Sequence, residues 1–273
     1  MTNEDRLRLY QNVLNCRRNL IDADILRKPT DSLATNFLRS TLRRLSKHKL
    51  EKLRQEFGAG ALGEGAGDGS GDCYKGFPYA YWAFSKHQLN QSLTKLPEPE
   101  EQVAIQVFTL ILQYAGLISS GNLSHTSTSA YIRSKEIRSS LGFLGHSGAN
   151  TEEEQATLLQ AILDKSWRKE NILTELYLQL LKQTTDHPEP NSKVNQRHWA
   201  ALGLLCSLVP PTNALTRKYL FAHLKRCRAD SVTEEGRYAR FADKVSSYHS
   251  CLLCRALKYS RIRETVRVFR SSF

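Results

Sequence analysis

ENILTELYLQLLKQTTDHPEP, Glu170 to Pro190, decides how this chain folds. Leucines and isoleucine at helical spacing make it a core helix, and Pro188 and Pro190 bound the turn that ends it. Yet Glu175, Gln179 and Gln183 recur at intervals of four among those leucines, an unusual set of polar residues for an enclosed segment.

Working outward, the same periodicity continues. Glu100 to Gly116 reads as a central helix because Val103, Ile105, Val107, Phe108, Leu110, Ile111, Leu112 and Tyr114 are apolar on most sides, and Gly116 is placed to end it. Further helices are expected at about 152–165, 169–185, 194–208, 213–228 and 234–257, with another at 259–269. Thr151 followed by Glu154 has the spacing of a capping box, and Pro210-Pro211 separates two of these helices. No sustained alternation of period two occurs, so no sheet is expected. The predicted fold class is all-α, a compact multi-helix bundle.

Toward the N-terminus, Asp31 to Phe57 reads as a long basic amphipathic helix whose stripe of Leu33, Phe37, Leu42 and Leu45 needs a partner helix or a neighbouring domain. GAGALGEGAGDGSGD, Gly58 to Asp72, is too rich in glycine to offset the entropy of ordering and reads as a linker or long loop.

The chain carries 39 Lys and Arg against 27 Asp and Glu, a formal net charge of +12. That charge sits at the ends: residues 1–57 hold 13 basic and 7 acidic residues, and residues 217–273 hold 14 and 5. Basic flanks around a near-neutral middle imply acidic partners for the flanks. No apolar run approaches the length of about 18 residues that a membrane span requires, and MTNEDRLRLY lacks the apolar region of a secretory signal. Six irregularly spaced cysteines make no disulfide framework. A cytoplasmic chain is the expectation.

Few motifs carry chemistry. Gly58, Gly60 and Gly63 spell GxGxxG, but the motif has meaning only between a strand and a helix, and here it follows a basic helix. His223, Cys227, Cys251 and Cys254 supply four zinc-type donors; their setting reads instead as packed helix faces, and no metal or other cofactor is expected. The remaining histidines lack the spacing of a nucleophile and base, no Walker A or HExxH sequence occurs, and no catalytic residue is assigned. Among the basic residues, Lys225, Arg226, Arg228, Arg255, Lys258, Arg261, Arg263 and Arg267 are the least relieved by acids and form the candidate partner-binding patch.

Taken in order, three stretches resemble the myosin tail homology 4 domain. SLTKLPEPEEQVAIQVFTLILQYAG, Ser92 to Gly116, looks like its opening, with a central Phe108 and a closing Tyr114-x-Gly116. The Glu170–Pro190 stretch is similar to its most specific segment, in which Glu175, Tyr177, Gln179 and Gln183 surround the leucines. HWAALGLLCSLVPPTNALTRKYLFAHLKR, His198 to Arg226, follows the helix led by Trp199, the turn with Pro210 and Pro211, and the next helix. The resemblance spans Leu89 to Cys227 and departs where Leu173 and Thr174 stand in place of a common Arg-Asp pair, and where KYSRIRETVRVF replaces a Pro-Ser segment.

On that resemblance the chain divides into a basic helical segment at 1–57, a Gly-rich linker at 58–76, a myosin tail homology 4 domain at 77–257 and a basic tail at 258–273. It implies a non-catalytic interaction module of cytoskeletal adaptors and unconventional myosin tails. Its expected partners are microtubules or other cytoskeletal proteins, with a cargo peptide or a neighbouring FERM domain as further possibilities. No FERM sequence follows before Phe273, so a cleft shared with FERM is not expected within this chain. Protein–protein scaffolding, and contact of the basic helices with anionic membrane or nucleic acid, are the alternative readings. The polar residues of the opening stretch then have a physical role: enclosed side chains must be hydrogen-bonded, so Glu175, Gln179 and Gln183 are expected to tie inter-helix loops to the core, with Tyr177 adding aromatic bulk and a polar tip.

Overall fold

In the computed structural model, residues 1–29, 73–75, 77–118 and 152–249 are described. Among them run eight helices: α1 Asn3–Asp22, α2 Tyr79–Trp82, α3 Glu98–Ala115, α4 Glu152–Ser166, α5 Glu170–Gln183, α6 Lys193–Leu208, α7 Ala214–Arg228 and α8 Glu234–His249. The one strand pairing is a minimal antiparallel ribbon, β1 Cys73–Tyr74 with β2 Phe77–Pro78. The all-α reading therefore holds, with this two-residue ribbon as its only extended ladder among the described residues.

Local chemistry sets the helix ends. Asn213 caps α7 by accepting from Leu215 N and Thr216 N, both at 3.0 Å, and Ser192 caps α6 through Asn195 N. Three glutamates, Glu98, Glu100 and Glu101, sit in the first turn of α3, where the helix dipole favours negative charge. That helix ends at Gly116, whose φ of 82° lies in the left-handed region; the amide of Leu117 reaches back to Leu112 O at 2.9 Å. Helix α5 stops at Gln183, earlier than the leucine periodicity suggests. The hydroxyls of Thr184 and Thr185 there turn back onto Leu180 O and Leu181 O.

Helix α5 is the axis of the bundle. It touches α2, α3, α4, α6 and α7, and every residue from Ile172 to Gln183 is buried. Around it α3 packs against α4 and α6, while α7 and α8 pack against each other and α8 packs against α6. Phe108, Tyr177, Trp199 and Tyr219 are the large side chains of this core. Burial of such aromatic area contributes several kcal/mol per side chain, about 25 cal/mol for each Å² removed from water.

The N-terminal region adds a helix the periodicity does not reveal. The expected long helix at 31–57, with Leu33, Phe37, Leu42 and Leu45, lies outside the described residues. Within them, α1 starts at a capping box of Thr2 and Asp5 and lies along α7. Its buried face consists of Val13, Arg17, Leu20 and Ile21, so an arginine interrupts the apolar stripe. After α1, Leu26 forms a bridge with Thr94, closed by Arg27 N to Leu93 O at 2.8 Å and Lys95 N to Ile25 O at 3.0 Å. The first part of segment 1–57 is thus built into the bundle. The helix expected at 234–257 is seen to His249, and the one expected at 259–269 lies outside the described residues.

Candidate partner-binding surface and the polar spine behind it

The residues of the opening stretch form a polar spine along α5. Glu175, with no exposed surface, accepts four hydrogen bonds: Leu93 N at 2.7 Å, Thr94 N at 2.8 Å, Thr94 Oγ1 at 2.6 Å and Gln179 Nε2 at 3.0 Å. Burial raises its pKa, and these donors, led by the Thr94 hydroxyl and Leu93 amide, oppose that rise. One turn on, Gln179 Nε2 also donates to Ala104 O in α3 at 3.0 Å. After a further turn, Gln183 holds the backbone of Ser85 from both sides, accepting its N–H at 3.0 Å and donating to its carbonyl at 2.9 Å. Three side chains on one helix face thereby fix the 92–94 segment, α3 and the 85 turn to the axis.

Lys182, which the sequence did not single out, completes the spine. Only 4 % exposed, its ammonium donates to Ala80 O at 2.6 Å, Tyr81 O at 3.1 Å and Ala83 O at 2.7 Å, and so satisfies the free carbonyls of short helix α2. Burial, and after it the Arg17 guanidinium, pulls its pKa down to about 7.

The remaining family-pattern residues hold the turn before α7. Tyr177 Oη donates to Val209 O at 2.6 Å, and Arg217 donates to Pro211 O at 3.2 Å and Thr212 O at 3.1 Å. Pro210 is half-buried and Pro211 buried in that turn. Trp199 stacks on His223, with centroids 5.5 Å apart and planes 10° from parallel. Phe108 and Tyr114 are buried in α3, and burial pushes the Tyr114 phenol up to about 12. At Gly116 a Cβ would come within 2.9 Å of Arg197 Nη1, which donates to Ala115 O at 3.2 Å.

This scaffold presents α7, a helix with five cations and no acid over Ala214–Arg228. Three of them, Lys225, Arg226 and Arg228, occupy its last turn and favour the negative end of the helix dipole. Their fates differ. Lys225 is exposed. Arg226 turns inward to Asp186 at 3.4 Å and to His223 Nδ1 at 3.5 Å. Arg228 is exposed but pairs with Asp243 on α8. Arg255, Lys258, Arg261, Arg263 and Arg267 lie outside the described residues, as do Cys251 and Cys254. The chain also exposes Arg6 and Arg8 on α1, Lys218 on α7 and Lys244 on α8, which the sequence reading did not place in the patch.

His223 Nε2 lies 3.1 Å from Thr184 Oγ1 and 3.9 Å from Cys227 Sγ. Among the described residues no group of three or more His, Cys, Asp or Glu is placed to hold a metal ion, and no helix is long and apolar enough to cross a membrane.

Comparison with known proteins identifies the segment. The sequence model of the MyTH4 domain matches residues 159–260, from α4 past the end of α8. Among solved structures the chain is similar to the Dictyostelium discoideum myosin VII MyTH4-FERM MF1 domain, at 21 % identity, a TM-score of 0.45, and coverage of 62 % of this chain and 29 % of that one. It is also similar to the MF2 domain of the same myosin, at 13 % identity, a TM-score of 0.46 and coverage of 82 % and 36 %. A third is the human myosin 7b C-terminal MyTH4-FERM domain in complex with the harmonin-a PDZ3 domain, at 22 % identity, a TM-score of 0.40 and coverage of 60 % and 28 %. This chain thus spans about a third or less of the length of those structures. The likeness in sequence to the MyTH4 domain is thus to the segment 159–260 of this chain.

Proposed function

We propose that this chain is a non-catalytic cytoskeletal adaptor module of myosin-tail type, in which basic helices contact acidic partners, with the acidic tails of tubulin as the leading one. The observation that carries this reading is the position of α7: a helix of five cations and no acid, inside the segment matched by the MyTH4 model. The polar spine of α5 supports it in a second way. Its buried charged and amide groups are engaged in holding backbone, which is the work of a scaffold. The module is read as extending to 77–257, because α2 and α3 pack on α5, and α1 joins it along α7. A cytoplasmic, cytoskeleton-associated setting goes with this reading.

Exposed charge contacts are screened over about 10 Å at 0.1 M salt, so such binding falls as salt rises. Competition at matched ionic strength among microtubules, RNA and acidic liposomes tests the choice of partner. Preferential retention by microtubules supports the reading; preferential retention by RNA or liposomes replaces tubulin with that partner.

A further inference from the structure

Arg17 occupies the centre of the buried face of α1, between Val13 and the Leu20–Ile21 pair, where the helix pattern calls for an aliphatic residue. It keeps only 6 % of its surface open. Its guanidinium lies 5.3 Å from the Trp82 ring centroid and 5.6 Å from that of Tyr219, and the Tyr219 hydroxyl accepts from Nε at 3.1 Å. Two rings and one hydrogen bond thereby fix the plane of the group. A guanidinium offers five donors in a fixed fork, and only the Nε donor has an acceptor; Nη1 and Nη2 have none among the described residues.

The surroundings deepen that deficit. Lys182, a second buried cation acting on the same region, binds only backbone carbonyls. Arg226 is the third cation, and both arginines act on His223, which burial holds neutral. Among the described residues Asp186 is the carboxylate that acts here and it is taken by Arg226, so the unfilled guanidinium fork of Arg17 leaves positive charge that an oxyanion would complete.

We propose that Arg17 anchors an oxyanion site at the junction of α1, α2 and α7, taking one carboxylate or phosphate group on Nη1 and Nη2. With 6 % of Arg17 open, the site suits a single group, such as an acidic side chain or a phosphate, rather than an extended surface. The site is separate from the exposed cations of α7 and stands or falls independently of tubulin binding.

The direct test follows the Arg17 Nε–Hε signal by NMR, assigned by its loss in Arg17→Lys. Sodium phosphate and sodium glutarate form the two arms, against sodium chloride at matched ionic strength. The expected result is a saturable shift with an oxyanion and none with chloride, together with a rise in Tm over the same concentrations. Arg17→Lys keeps the charge but loses the fork, so the Tm response should weaken about tenfold in apparent affinity. Lys225→Ala should leave it unchanged. Saturation by phosphate alone assigns a phosphate; saturation by glutarate, alone or with phosphate, assigns a carboxylate-accepting site. If Arg17→Lys does not fold, Tyr219→Phe, which removes the acceptor of Nε but keeps the ring, supplies the assignment. A drift that chloride reproduces, or an equal Tm gain in wild type and Arg17→Lys, overturns the proposal.

Discussion

Glu175 gathers both polar groups of Thr94 on one oxygen, the amide at 2.8 Å and the hydroxyl at 2.6 Å, across 81 residues of sequence. Its other oxygen takes Leu93 N at 2.7 Å, so one buried carboxylate fixes the segment that leads into α3. This contact makes the 92–94 segment part of the core rather than a loop lying on it.

Glu175→Gln tests that role. It replaces one acceptor oxygen with a donor that faces amide and hydroxyl donors, and an unsatisfied buried group costs about 1–3 kcal/mol. The variant should lose about 2 kcal/mol or more in urea unfolding, and the Leu93 and Thr94 amides should exchange faster with solvent. Unchanged exchange at those two amides would remove the carboxylate from the account of the fold.

Lys182→Met keeps most of the side-chain volume and withdraws three donors from Ala80, Tyr81 and Ala83. A loss of about 1–3 kcal/mol is expected at pH 7. With its folded pKa lowered to about 7 from 10.5, the native state binds fewer protons than the unfolded one between those values. The contribution of this lysine therefore makes stability rise as pH climbs from about 7 to 10.5. Denaturation curves at pH 7 and pH 10 should show that rise in wild type and its reduction in Lys182→Met.

Acid should destabilise the bundle through its buried histidines. Burial holds His187 down to about 4 and His198 to about 3, and His198 is fully enclosed beside Phe84 and His187. The unfolded chain takes up these protons near pH 6.5. Below that pH it binds more protons than the native state, and each group removes up to about 1.4 kcal/mol per pH unit as pH falls toward its folded value. His198→Phe should flatten the fall between pH 6.5 and 4 relative to wild type. Parallel curves for the two proteins would mean that His198 is protonated in the native state.

Gly116→Ala should cost about 1–2 kcal/mol, the usual penalty of a left-handed residue with a Cβ. The new Cβ would also press on Arg197 Nη1 at 2.9 Å. A thermal melt that does not move would mean that the end of α3 relaxes into another conformation.

The axis of the fold was legible because α5 writes two patterns at once, a helical leucine period and polar residues every four positions. Helix α1 was not, because Arg17 stands inside its stripe and the ring faces of Trp82 and Tyr219 that receive it lie far along the chain. Lys182 escaped for a related reason: its partners are backbone carbonyls about a hundred residues away, and carbonyls carry no sequence signature. The basic patch was legible as charge and illegible as surface. Nothing local announces that Arg226 meets Asp186, 40 residues earlier, or that Arg228 meets Asp243 on the neighbouring helix, whereas Lys225, just before them, faces outward.

The central claim is that the cations of the C-terminal half engage an acidic cytoskeletal surface. Co-sedimentation with microtubules across a salt series, for wild type and for the combined reversal Lys225→Glu, Arg261→Glu, Arg263→Glu and Arg267→Glu, tests it most directly. The account predicts sedimentation at low salt that falls as salt rises, and a loss of about tenfold or more in the reversed protein. Absence of sedimentation at low salt, or equal sedimentation of both proteins, would contradict it.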